Sequence, residues 1–177
     1  MTYRKRKASA KEMICQAMIK LVSSGKKPYD ELTIQEIVDE AGVCRNSFYR
    51  NYSSKNEIFI EKFKEISVQS GELMETLEGE FISKVLYSFF VTARKNREFL
   101  LSFYKAVPQV YFETFVKVIL QSNANVKPKD LPADKYYKYA CKGWITVGML
   151  TEWMKRNCDV PIENVIVWFE DWCRGLL

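Results

Sequence analysis

The 177-residue sequence predicts an all-α protein. Three observations lead there. A serine or threonine followed three residues later by glutamate stands ahead of three apolar runs, apolar residues repeat at helical spacing through most of the chain, and no segment alternates convincingly as a strand does. In order, Ser9-Ala-Lys-Glu12 opens a helix over residues 10–24, with Met13, Ile14, Ala17, Met18, Leu21 and Val22 on one face and Gly25 as its stop. Thr33-Ile-Gln-Glu36 opens a second, in which Leu32 and Ile37 form a hydrophobic staple and Ile34, Val38 and Ala41 complete the buried face up to Gly42. Residues 44–52 make a third helix of barely two turns. Ser54-Lys-Asn-Glu57 opens a fourth, carrying Ile58, Phe59, Phe63 and Ile66. From about Gly71 longer amphipathic runs predict helices near 79–95, 97–105, 108–122, 133–157 and 161–176, with Asn123 to Pro132 as a polar loop.

Composition removes several function classes. Hydrophobic residues at 47% and aromatics at 14% are too rich for a disordered chain, and the length buries a core without disulfides. The five cysteines, Cys15, Cys44, Cys141, Cys158 and Cys173, contain no C-x-x-C pair, and the chain has no histidine. Zinc binding, a disulfide framework and histidine-based catalysis therefore lack their usual residues, so no catalytic residue, metal or cofactor is expected. No stretch approaches the ~20 apolar residues of a membrane span. The basic N-terminus lacks the apolar run of a signal peptide, so a cytoplasmic location away from membranes is expected.

Charge is unevenly placed. Residues 1–64 hold 13 Lys and Arg against 8 Asp and Glu, which is the whole net charge of +5, while residues 65–177 hold 14 against 14. That excess coincides with a helix-turn-helix over residues 33–52: a supporting helix, a tight turn with Ala41-Gly42, and a short helix of the kind that lies in the major groove. At about 100° per residue, Phe48 and Tyr52 fall on one side of the third helix and Asn46, Ser47, Arg50 and Asn51 on the other. Apolar anchors face in; hydrogen-bonding groups face out. The Arg4-Lys5-Arg6-Lys7 arm has two readings, a source of further phosphate or minor-groove contacts and a basic disordered tail.

The run from Thr33 to Lys55, Thr-Ile-Gln-Glu-Ile-Val-Asp-Glu-Ala-Gly-Val-Cys-Arg-Asn-Ser-Phe-Tyr-Arg-Asn-Tyr-Ser-Ser-Lys, resembles the DNA-binding motif of the TetR family of transcriptional regulators. The resemblance is strong over residues 9–66 and diffuse beyond. Cys44 stands where Ser or Thr is usual, Asn51 where His is common, and Tyr52 where Phe is common. It implies an N-terminal three-helix DNA-binding domain over residues 9–66 and a helical dimerisation and effector domain over 67–177. It also implies that Thr33, Tyr49, Asn51 and Lys55 touch phosphates. Arg45, Asn46, Ser47 and Arg50 then face base edges, which fits the preference of Arg for guanine and Asn for adenine.

In the second half, Tyr139 to Met154 is apolar nearly all round and needs cover on more than one side. Trp153, Ile162, Val165, Phe169 and Trp172 resemble the helix pair through which such regulators dimerise, so a homodimer is expected. Phe89, Phe103, Tyr104, Tyr111, Phe115, Trp144 and Met149 are candidates to line a pocket for a small apolar or aromatic effector; plain core packing is the other reading of the same rings. The expected function is a homodimeric repressor on a palindromic double-stranded operator, released by an effector. Two other readings compete with it: a helix-turn-helix adaptor or co-activator acting through protein contacts, and a thiol sensor through Cys44, whose place at a helix N-terminus beside Arg45 lowers a thiol's pKa.

Overall fold

Each of the first helices starts where a side chain can replace missing backbone partners. The computed structural model describes residues 8–123 and 130–175. In α1 (Ala10–Ser24) the Ser9 hydroxyl accepts from the Glu12 N–H at 3.2 Å, and the Glu12 carboxylate accepts from the Ser9 N–H at 2.7 Å. Thr33 and Glu36 repeat that pair at the start of α2 (Ile34–Ala41). Gly25 and Gly42 close the two helices at φ 61° and 65°, where a side chain would be strained. α3 (Arg45–Asn51) starts at Cys44, whose side chain makes no cap hydrogen bond. The third expected box is only half formed: at α4 (Lys55–Glu75) the Ser54 hydroxyl accepts from the Glu57 N–H, but the Glu57 carboxylate accepts instead from Ser53, one residue earlier.

The body continues with α5 (Phe81–Lys95), α6 (Arg97–Ala106), α7 (Pro108–Asn123), α8 (Ala133–Lys155) and α9 (Ile162–Gly175). Pro108 sits at the first position of α7, where its missing N–H costs nothing. α4 packs along α5, α7 along α8, and α9 on α5; α6 lies between α1 on one side and α7 and α8 on the other. No strand occurs among the described residues, and no helix there is long and apolar enough to cross a membrane. Residues 124–129, within the expected polar loop, and the Arg4-Lys7 arm lie outside the described residues.

A run of aromatic rings joins these layers. Phe59 of α4 stacks on Phe103 of α6 at 5.0 Å, Phe63 meets Phe115 of α7 at 4.3 Å, and Tyr111 lies 4.6 Å from Phe115 and 5.4 Å from Phe103. Burying each phenylalanine contributes about 2–3 kcal/mol, and a ring pair adds roughly 0.5–1.5 kcal/mol. The Tyr111 hydroxyl, buried with them, shares a hydrogen bond with Thr151 at 3.0 Å, and burial pushes its pKa up.

This packing bears on two expectations. Phe103, Tyr111 and Phe115 fill one another's space and are fully buried, while Phe89, Tyr104 and Met149 are half-buried against the same core. Trp144 is 48% exposed and stacks outside them on Phe112 at 5.1 Å. The rings named as pocket candidates thus pack here as core, which was the other reading of the same residues. A groove of about 740 Å³ opens elsewhere, between α1, α2 and α6, bordered by Met13, Gln16, Lys20, Ser23, Glu40 and Glu98 among others. The second expectation concerns the subunit interface. Trp153, Ile162, Val165 and Phe169 are buried within the subunit, where Trp153 lies 5.4 Å from Phe90 and its indole N–H donates to the Val160 carbonyl at 3.0 Å. The apolar stripe of α9 is therefore the face that seats it on α5. Val167 and Trp168 point outward instead, at 52% and 56% exposure, and the Trp172 side chain lies outside the described residues.

Candidate nucleic-acid interface

The geometry of the reader follows from three buried side chains. Ala41 at the end of α2 is small enough for the turn to close beneath it, and Gly42 takes the left-handed conformation that redirects the chain. The Gly42 N–H donates to the Asp39 carbonyl at 3.1 Å and the Val43 N–H to Val38 at 3.0 Å. Phe48 and Tyr52 then anchor α3 in the core, with the Tyr52 hydroxyl donating to the Lys11 carbonyl at 3.3 Å. Burial pushes the Tyr52 pKa up, so it remains a neutral donor.

With that face fixed, Arg45, Asn46, Tyr49, Arg50 and Asn51 are exposed together and Ser47 is half-buried between them. These side chains are held by one another. The Arg45 guanidinium donates to the Tyr49 hydroxyl at 3.2 Å and stands 5.7 Å from that ring's centre. Arg50 donates to the Ser47 hydroxyl at 3.2 Å, and the Asn51 amide donates to the Ser47 carbonyl at 2.6 Å. The Ser47 hydroxyl also shares a contact of 3.2 Å with Cys44 Sγ. Hydrogen bonding from Ser47 lowers the Cys44 pKa from its ordinary value, aided by the Asn46 N–H and the Arg50 charge.

Two of the expected phosphate contacts are engaged within the protein. The Thr33 hydroxyl donates to the Glu36 carboxylate at 2.7 Å while capping α2. Bonds from Thr33, with the Lys27 ammonium at 2.9 Å, hold Glu36 at a pKa of about 2. Lys55 directs its ammonium at the carbonyls of Leu32 at 2.6 Å, Tyr29 at 3.0 Å and Asp30 at 3.3 Å, and lies 4.6 Å from the centre of the Tyr29 ring. Partial burial lowers its pKa from the ordinary value, with Asp30 and Glu36 opposing the shift. Lys55 thus pins the 3-10 turn Tyr29–Glu31, and with it the start of α2, to the first turn of α4. Sequence reasoning missed Tyr29 and Asn56 as parts of this joint, in which the Tyr29 hydroxyl donates to the Asn56 side chain at 2.6 Å. Pro28 ahead of Tyr-Asp-Glu was the available signal for a turn there.

Among the described residues no group of three or more Cys, Asp or Glu side chains is placed to hold a metal ion. Cys15 is buried, with its thiol pushed up to about 11 by desolvation, and Cys158 is half-buried with its pKa also raised by burial.

Residues 24–61 match the profile of the bacterial regulatory proteins of the tetR family. None of the curated proteins matches the chain in sequence. Solved structures share its architecture: a candidate transcriptional regulator from Pseudomonas aeruginosa PAO1 superposes with a TM-score of 0.63 at 14% identity, over 94% of this chain and 89% of that one. NalD, the secondary repressor of the MexAB-OprM multidrug efflux pump in Pseudomonas aeruginosa, is similar in two structures. One has a TM-score of 0.59 at 14% identity, over 94% of each chain, and the other 0.57 at 13%, over 92% of this chain and 94% of that one. Residues 24–61 are therefore similar to the tetR family of bacterial regulatory proteins, and the chain has the all-helical fold of these solved structures.

Proposed function

We propose that the chain is a sequence-specific DNA-binding transcriptional regulator that acts as a homodimer on a palindromic operator. The observation that carries this reading is the exposed outer face of α3. Two arginines, two asparagines and a tyrosine project from a helix that Phe48 and Tyr52 fix in place, in the position where a helix-turn-helix meets the major groove. The same set supplies guanine and adenine readers side by side.

Dimerisation is supported by the surfaces left open. Val167 and Trp168 on α9 and Tyr137 and Trp144 on α8 are large apolar groups in solvent. Lys135 and Lys138 accompany the α8 group, whereas Glu163 accompanies that of α9, so a two-fold arrangement that sets α8 of one copy against α9 of the other brings opposite charges together. Such a dimer must hold its recognition helices roughly 34–36 Å apart, or a multiple of that, to meet successive half-sites. We further propose repression relieved by a small apolar or aromatic effector. Binding among Phe103, Tyr111 and Phe115 has to separate rings now in contact, and a ~100-fold loss of DNA affinity requires about 2.7 kcal/mol of coupling.

Selection of DNA from a random pool by the purified protein tests the reading. A two-fold symmetric motif is the expected result, and recovery of DNA with no shared sequence refutes it in favour of an adaptor that acts through protein contacts. Control through Cys44 is favoured by one observation, its exposed thiol with a lowered pKa on the recognition helix. DNA affinity unaffected by alkylation of Cys44 excludes that control.

A further inference from the structure

The two arginines of α3 do not stand alike. At about 100° per residue, Arg50 points directly away from the buried pair Phe48 and Tyr52, whereas Arg45 lies about 140° from Arg50, on the flank beside Tyr52. Left to its helical phase, Arg45 extends along the side of the reader. Tyr49, one turn on, stands between that flank and the outer face. Its hydroxyl accepts from the Arg45 Nη2 at 3.2 Å and its ring lies 5.7 Å from the guanidinium carbon. The tyrosine is 51% exposed, and its ring rests edge-on against the buried Phe48, with centroids 5.5 Å apart.

We infer that Tyr49 is a positioning residue for base recognition: it holds Arg45 against the outer face of α3, so that a residue at the edge of the reader addresses a base. The inference rests on the DNA-binding reading above and deepens it. A guanidinium carries five N–H donors, and the bond to Tyr49 occupies one of them. The rest of its planar fork remains available for the paired acceptors of a guanine edge. The contact acts before DNA arrives. An unrestrained arginine samples many rotamers and must lose that freedom on binding, whereas one already lodged on a ring loses less. Tyr49 thereby contributes to sequence preference without touching a base.

A phosphate contact by Tyr49 predicts a different outcome, since it carries no sequence information. The test is a double-mutant cycle on the selected operator and on operators altered symmetrically at each base pair, using the wild-type protein, Arg45→Ala, Tyr49→Phe, Tyr49→Leu and the two double variants. Arg45→Ala is expected to reduce discrimination at one base pair per half-site about 5- to 150-fold. Tyr49→Phe, which keeps the ring, should reduce it at that same base pair about two- to tenfold, and Tyr49→Leu should reduce it further. In the Arg45→Ala background neither change should alter discrimination again. A Tyr49→Phe protein that loses affinity equally for every operator, and by the same factor with or without Arg45, overturns the inference. So does an Arg45→Ala protein with unchanged preference. A wild-type protein that prefers no sequence overturns the DNA-reading proposal itself. Both tyrosine variants change an exposed side chain, and circular dichroism should show the same helical content in each.

Discussion

Replacing Lys55 with methionine separates two roles for this residue. Methionine keeps most of the apolar stem and removes the ammonium, leaving the carbonyls of Tyr29, Asp30 and Leu32 without their shared donor. A hydrogen bond to a charged group contributes roughly 1.5–3 kcal/mol when desolvated. This ammonium is only partly buried, and the Asp30 carbonyl, whose contact is the longest, has access to water, so the three bonds together contribute about 2–3 kcal/mol, including a small part from the Tyr29 ring. For a chain of this length that is a fall in Tm of roughly 5–10 °C. Urea unfolding followed by far-ultraviolet circular dichroism measures the change. DNA affinity at high protein stability should fall modestly, through a looser start to α2. If instead Lys55→Met, or Lys55→Ala, leaves the unfolding midpoint unchanged while binding to every sequence weakens and the salt slope falls by about 0.9, Lys55 is a phosphate contact and the clamp argument is wrong.

Three further outcomes are expected. Glu36 has its folded pKa depressed to about 2 from the ordinary 4.5, so its contribution is complete above about 4.5 and disappears as pH falls through 2. Glu36→Gln should therefore be less stable than wild type at neutral pH, with the gap closing in acid titrations monitored by circular dichroism. Cys44 should be alkylated by iodoacetamide well before Cys15 and Cys158 in mass-spectrometric time courses, and Cys44→Ser should raise stability by about 0.5–1 kcal/mol by supplying the cap that α3 lacks. Trp168→Glu should yield a 20.8 kDa monomer in sedimentation with unchanged helical content; an unaltered dimer would show that α9 faces elsewhere.

Legibility in the sequence tracked the range of the interaction. The capping boxes at Ser9 and Thr33 and the stops at Gly25 and Gly42 were readable because each involves residues within one turn of each other. At Ser53 and Ser54 the same pattern was ambiguous, since a carboxylate reaches either of two neighbouring N–H groups, and backbone direction before the helix decides between them. The stripe Ile162, Val165 and Phe169 was visible, but an apolar stripe carries no address, and α5 of the same subunit covers it. Likewise Lys55 was singled out by position as a phosphate contact, while its partners within the protein lie 23–26 residues away across a turn that only tertiary packing sets. The aromatic residues of α6 and α7 were identified as neighbours; whether rings enclose space or fill it depends on fractions of an ångström that composition does not encode.

The rings of α4 bear on how such a regulator can be inherited. Phe59 and Phe63 fall within residues 9–66, yet their faces are covered by Phe99, Phe103 and Phe115 from the body. A chain cut after residue 66 would present both rings to water, at about 2–3 kcal/mol each, so the reader is not a cassette that recombination can move alone. Any viable chimera has to carry α6 and α7, or meet a body whose corresponding rings already match. The outer face of α3, by contrast, supports none of the core, and Asn46 and Arg50 can vary there at little cost to folding. Lineages descending from such a chain should diverge in the DNA they recognise sooner than in the body to which the reader is joined.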